Sequence, residues 1–210
     1  MNIERLDKKN IQGLIKVAET YRDVFATEPW NEVSRGPNCG KFYENQPGTV
    51  CPCGCGKLQE AYPTMTTVGY IRKEISKPNA IALTTEKDGI IVGFAWGYEE
   101  TSEEFATSKY KPENRNFISQ LIGPNKRFFY MSECGLVKPE RSMGLGTEMS
   151  LKLVSEASQF NQSVLLRTNK GSLARFIAKK LNLTPIIGTE NTPSDPENPD
   201  RILFYRDSKT

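Results

Sequence analysis

The chain of 210 residues contains no histidine, which removes the commonest general base and every Ser/His or Cys/His nucleophile pair. Proton transfer must fall to carboxylates, Tyr, Lys, Cys or backbone groups. Of five cysteines, four gather in one Pro- and Gly-rich stretch: Cys39, Cys51, Cys53 and Cys55. Four thiols are the number a closed tetrahedral zinc site needs, and Gly54 and Gly56 let the chain curl around an ion. The spacing is not the ordinary C-x-x-C pair, so free thiols or a redox pair stay open beside zinc. A metal held by four thiolates has no position left for substrate, so its role is structural. Cys134 stands apart and reads as a small core residue.

The second chemically suggestive stretch is Arg141-Ser142-Met143-Gly144-Leu145-Gly146. A strand that turns directly into a helix through Gly144 and Gly146 presents unpaired backbone N–H groups at the positive end of the helix dipole. Glycine lets an anion approach the main chain without meeting a Cβ, and Arg141 adds a charged donor beside the turn. From these residues alone, a tight turn without a ligand and a phosphate site stand level.

The elements that must position these groups follow from periodicity. Residues 2–6 suit a first strand, and Asn10 an N-cap before the 3.6-period stripe Ile11, Leu14, Ile15, Ala18 and Phe25, with a stop near Pro29. Residues 36–62 hold a Cys-rich insertion, loop rather than strand or helix, that something other than an apolar core must order. A second helix over 66–76 stops at Pro78. Runs 80–85 and 90–98 flank Asp88-Gly89 and read as an antiparallel hairpin. The polar excursion 101–126 offers one short helix near 117–121. A strand over 127–137 precedes a helix from Gly144 with the face Leu145, Met149, Leu153 and Ala157. A strand over 163–167, a helix from Ser172 through Leu181, and closing strands over 184–187 and 202–205 complete the order, with a Pro-rich mobile loop over 188–200 between the last two. The pattern makes an α/β protein with a mixed sheet and helices on both faces, one domain over 1–210.

In this order, the strand-turn-helix with Arg-x-x-Gly-x-Gly after Glu133-Cys134-Gly135-Leu136-Val137-Lys138-Pro139-Glu140 resembles the acyl-CoA fingerprint of the GNAT acyltransferase superfamily. Segments 21–30, 90–98 and 169–183 resemble that family's first-helix region, third strand and fourth helix. The resemblance implies a mostly antiparallel central sheet and acetyl-CoA as cosubstrate. It implies that Leu136 and Val137 offer backbone groups to the pantetheine arm, and that Arg141, Ser142, Met143, Gly144, Leu145, Gly146 and Thr147 cradle the pyrophosphate. Asn169 matches an Asn near the coenzyme. Pro139 sits one place later than the family pattern, so the strand end can shift by one residue.

Acyl transfer to an amine needs a base and groups that stabilise the oxyanion and thiolate. Glu133 falls where many family members place an acidic residue facing the cleft; a salt-bridged strand residue is the plainer reading of it. The family's helical Tyr acid is missing: Phe176 or Ala178 occupies its place, leaving Tyr205, Tyr98, Cys134 or water. The implied function is an acyl-CoA-dependent N-acyltransferase acting on an amine by direct attack. The alternative is a non-catalytic acyl-CoA-binding module whose zinc-stapled loop docks a protein partner. Lys+Arg of 28 against Asp+Glu of 25 give a net charge of +3, too small and interspersed for nucleic acid. The sequence shows neither a membrane span nor a signal-peptide core, so a cytoplasmic protein without membrane partners is expected, with a homodimer left open.

Overall fold

A computed structural model describes residues 1–160, 163–192 and 201–207. After β1 (Asn2–Arg5), the Asn10 side chain accepts from the Gly13 N–H at 2.9 Å and starts α1 (Ile11–Phe25), a cap of the kind worth ~1 kcal/mol. The expected insertion is not all loop. It contains two two-residue strands, β3 (Phe42–Tyr43) and β4 (Gln59–Glu60), which flank β2 (Ser34–Arg35), just before the insertion, in the order β3-β2-β4; strands this short leave no alternation to read. Next, α2 (Thr64–Glu74) begins behind Pro63.

The Asp-Gly hairpin forms as expected. Asp88 and Gly89 take φ of 52° and 80° and join β5 (Ile81–Lys87) to β6 (Ile90–Thr101), as a two-residue turn with both central φ positive requires. The excursion holds two helices, not one: α3 (Ser102–Lys109), started by a Thr101/Glu104 capping box, and α4 (Pro112–Ile122), with Pro112 in its first turn. Their apolar residues are too sparse to make a stripe, so the caps carry the signal. The remaining elements are β7 (Arg127–Leu136), α5 (Leu145–Ser158), β8 (Ser163–Asn169), α6 (Ala174–Lys180), β9 (Thr184–Pro185) and β10 (Arg201–Arg206). Of the expected Pro-rich loop, 193–200 lies outside the described residues.

The main sheet runs β1-β5-β6-β7-β8-β10-β9, antiparallel throughout except between β7 and β8. On one face Ala95, Met131 and Leu166 meet Met149 and Leu153 of α5. On the other, Phe94 and Trp96 meet Leu14 of α1 and Ile71 of α2, and further along Tyr130 and Leu165 meet Phe105 of α3 and Ile118 of α4. This is the mixed, mostly antiparallel sheet with helices on both faces that the sequence implied. Among the described residues no helix is long and apolar enough to cross a membrane.

Two irregularities of the sheet position the site. The parallel pairing of β7 with β8 covers only Phe128–Met131 against Ser163–Leu166. Beyond it the strands part and open a wedge. On its other side β7 stays paired to β6, but Trp96 opposes Glu133 while Gly97 opposes Met131, so Ser132 is the extra residue of a β-bulge.

Candidate active site

The bulge decides where Glu133 points. Strict alternation would place Glu133 on the face of Met131, against α5. One extra residue turns it to the opposite face, beside Trp96. A Cβ on Gly97 would lie 2.5 Å from the Phe129 ring and 2.5 Å from the Tyr130 carbonyl oxygen, so glycine permits the strands to close here. Ser132, the extra residue, donates its hydroxyl to Glu74 at 2.9 Å.

Glu133 lines a cavity of about 480 Å³ between α1, α2 and the sheet. Its Oε1 accepts from the Tyr70 hydroxyl at 3.2 Å and the Tyr21 hydroxyl at 3.4 Å. Burial pushes its carboxyl up to about 7, while Lys109 and Arg201 pull it back. Burial, and then the Glu133 charge, hold both phenols well above their ordinary range, so they remain donors. Elsewhere in the cavity Glu32 accepts from the Tyr62 hydroxyl, and burial raises its carboxyl too. Arg35, Lys109, Arg167 and Arg201 complete the charged lining.

Sequence reasoning singled out none of these partners except Tyr21, which, like the lining residue Trp30, fell inside a segment read for family likeness. The available signal was weak: a charged residue at position 167 directly after the apolar run Val164, Leu165 and Leu166. Of the candidate acids, only Cys134 lines the cavity. Its thiol is pushed up to about 11 by burial, and its sulfur lies 3.7 Å from Ser150 Oγ. Tyr98 is fully buried beneath Lys77, and Tyr205 lies beneath Lys126. Phe176 is exposed on α6.

The second part of the site is the start of α5. Gly144 occupies the N-cap with φ 87°, and no side chain caps the helix. The first intrahelical bond runs from Glu148 N–H to the Gly144 carbonyl at 3.0 Å, so the amides of Leu145, Gly146 and Thr147 precede the hydrogen-bonded ladder. A Cβ on Gly146 would meet Leu136 at 3.4 Å and Ile177 at 3.6 Å, an ordinary contact. Packing does not demand glycine there; close approach of a ligand would. Ser142, at φ 67°, and Met143 are exposed in the same turn.

Arg141 turns inward rather than toward that surface. Its guanidinium donates to the carbonyls of Leu136 (2.9 Å), Glu28 (2.6 Å) and Val24 (3.2 Å) and to the Thr27 hydroxyl (2.7 Å). It ties the turn to the C-terminal end of α1. The Val137 N–H is engaged by Val92 at 3.0 Å, so two of the backbone groups expected to face a pantetheine arm already have partners. Asn169, at the end of β8, accepts from the Gly171 N–H at 2.7 Å.

The four clustered cysteines converge. Cys39, Cys51, Cys53 and Cys55 place their sulfurs within 4.8 Å of one another, with Cys39 and Cys51 at 3.8 Å and Cys51 and Cys53 at 3.2 Å. Four sulfurs at about 2.3 Å from one ion stand about 3.8 Å apart, so the set is consistent with a metal-binding insertion. Asn38 braces the loop by donating to the Cys55 carbonyl at 2.8 Å. Arg35 of β2, just before the insertion, and Phe42 of β3, within it, reach the cavity lining.

No protein-family model matches the chain, and no curated protein matches its sequence. Solved structures do match. An N-acetyltransferase from Staphylococcus aureus Mu50 aligns over 99% of this chain and 98% of its own, with a TM-score of 0.55 at 11% identity. The PaiA N-acetyltransferase from Thermoplasma acidophilum, in complex with coenzyme A, aligns over 99% of each chain at 0.53 and 12%. An aminoglycoside 6'-acetyltransferase type Ii aligns over 99% and 97% at 0.54 and 12%. The protein has the GNAT fold. At such low identity the fold is what is shared. Within this GNAT sheet the wedge and the cavity adjoin, because Cys134 of β7, Thr168 of β8 and Ser172 beyond it all line the Glu133 cavity.

Proposed function

We propose that the protein is an acyl-CoA-dependent N-acyltransferase that uses acetyl-CoA and acylates an amine by direct attack. The observation that carries this reading is a carboxyl turned by a β-bulge into a cavity continuous with the strand wedge and held near 7, where a base working at neutral pH is most effective. The GNAT neighbour with bound coenzyme A supports the choice of cosubstrate. The wedge beside Leu136 and Val137 would take the pantetheine arm as an added strand. Ser142, Met143, Gly144, Leu145, Gly146 and Thr147 would hold the diphosphate on free amides, with Asn169 at the wedge mouth and Arg141 fixing the turn.

Acetyl-CoA supplies an activated thioester. Glu133 takes one proton from the incoming ammonium, the freed nitrogen forms a bond to the thioester carbonyl carbon, and the carbon–sulfur bond breaks. The remaining proton leaves with the sulfur through water or a neighbouring donor. Tyr21 and Tyr70 hold the Glu133 carboxylate in place. Cys39, Cys51, Cys53 and Cys55 would hold a structural zinc. A single domain over 1–210 in the cytoplasm fits this reading. A non-catalytic coenzyme-binding module has no use for a raised carboxyl in the cavity, so the transferase is the better reading.

Purified protein given acetyl-CoA and polyamines, aminoglycosides, amino acids and peptides should release free CoA with at least one class. Glu133→Gln should slow that release ~10²–10⁴-fold. Equal release by the variant contradicts the assignment of the base.

A further inference from the structure

The charges of the cavity narrow the acceptor, given the transferase reading above. Four cationic side chains, Arg35, Lys109, Arg167 and Arg201, face only two carboxylates, Glu32 and Glu133, among the described lining residues. Glu133 must spend part of its time protonated. Glu32 already takes the Tyr62 hydroxyl and lies in the fields of Arg201 and Arg35. A cavity with this balance repels a diamine or polyamine.

The cations also group. Arg167 on β8 and Arg201 on β10 lie on the same sheet face, since Arg167 opposes Leu203 and Arg201 opposes Asn169. Lys109, at the end of α3, closes the group with its ammonium 5.5 Å from the Tyr130 ring centre. Among the described residues neither Lys109 nor Arg167 has a carboxylate within ion-pair reach. Arg167 is half-buried: its Nε is buried without a hydrogen-bond partner, its Nη1 makes a 3.4 Å contact to the Lys109 carbonyl, and its guanidinium carbon lies 6.0 Å from the Tyr110 ring centre, so no anion is among its contacts. Partly desolvating a guanidinium beside like charges costs free energy that an anion in the cavity would offset. The coenzyme diphosphate is not that anion in this account, because the amides at the start of α5 that would hold it belong to the opposite face of the sheet.

We propose that the acceptor is an amine carrying a carboxylate, with Arg167 and Lys109, flanked by Arg201, gripping the carboxylate while Glu133 faces the amine. The planar fork of a guanidinium suits a carboxylate. Arg167 is the specificity-determining residue through its planar fork, Lys109 adds a point charge to the grip, and Arg201 supplies field alone.

The test is steady-state CoA release with matched acceptors: α- and ω-amino acids, their methyl esters, the aminoalkyl phosphonates and simple diamines. Amino acids should exceed their esters and the diamines in kcat/KM by ~100-fold, since a site built around a charged partner rejects analogues lacking it, and should also outrun the phosphonates, whose tetrahedral anion fits the planar fork of a guanidinium less well than a flat carboxylate does. Arg167→Gln should raise the amino-acid KM and erase the preference over the esters, leaving the KM for acetyl-CoA unchanged; Arg167→Lys should restore part of the preference. Esters or diamines turned over as well as the acids, or phosphonates preferred, overturn the carboxylate site while leaving the transferase intact. An Arg167→Gln variant that keeps the preference overturns the residue assignment, and its melting temperature beside that of Arg167→Lys separates misfolding from lost recognition. No turnover with any class defeats the transferase reading, and this one with it.

Discussion

At the scale of single residues, Glu133 is set by two opposing influences. Burial raises its carboxyl to about 7, and the cations Lys109 and Arg201 keep it from going higher. Below that value it is protonated and cannot accept a proton; above it the base is available. The account predicts that kcat/KM rises roughly tenfold per pH unit below pH 7 and levels off above, and that this limb disappears in Glu133→Gln. Stability should run the other way. The folded carboxyl sits above its ordinary value of 4.5, so folding takes up a proton between about 4.5 and 7 and stability falls as pH rises through that window. Glu133→Gln should flatten this fall, read as melting temperature against pH. A wild-type rate profile flat from pH 5.5 to 8 would remove Glu133 from the chemistry. The identity of this residue was legible by counting back from the glycine turn, but its direction toward the cleft came only from the family resemblance, not from strand alternation. A bulge adds one residue with no signature of its own, and only Gly97 hinted that two backbones come close.

At the scale of elements, the strand-turn-helix around Gly144 was readable because glycine, proline and a 3.6-period stripe leave local marks. What Arg141 does was not readable: its partners at Val24, Thr27 and Glu28 are distant in sequence and become neighbours only when α1 packs on β7. Helices α3 and α4 were half hidden because cap residues, not an apolar face, define them. The Cys-rich insertion was legible as chemistry and illegible as structure, since two-residue strands carry no period. Phe42 of this insertion, and Arg35 just before it, line the Glu133 cavity, and Phe42 stacks on Tyr62 at 5.6 Å between ring centres. Removing the proposed zinc should therefore loosen that wall. A strong chelator is expected to lower the melting temperature and to raise the acceptor KM more than the Kd for acetyl-CoA, because the start of α5 lies elsewhere. Metal analysis of the protein as purified should give one zinc per chain; unchanged melting temperature and activity under chelation would leave the cysteines as plain thiols.

At the scale of the whole molecule, a mixed sheet with helices on both faces followed from the pattern of elements, since a hairpin and a strand-helix-strand unit leave few ways to build one sheet, whereas the order of the strands in that sheet was not read. The wedge was legible only through family likeness: nothing in the residues of β7 and β8 states that pairing stops at Met131 and Leu166. The cavity was least legible, being lined from α1, α2, α3, β7, β8 and β10 at once. The central claim joins these scales: the parted strands lead a thioester to Glu133 while the uncapped start of α5 holds its diphosphate. Amide hydrogen exchange with and without acetyl-CoA tests it most directly. The account predicts that saturating acetyl-CoA slows exchange at residues 144–147 and along 132–137, and that a bulky side chain at Gly146 abolishes the effect. Unchanged exchange at 144–147 with the coenzyme demonstrably bound, or undiminished affinity in Gly146→Val, would contradict it.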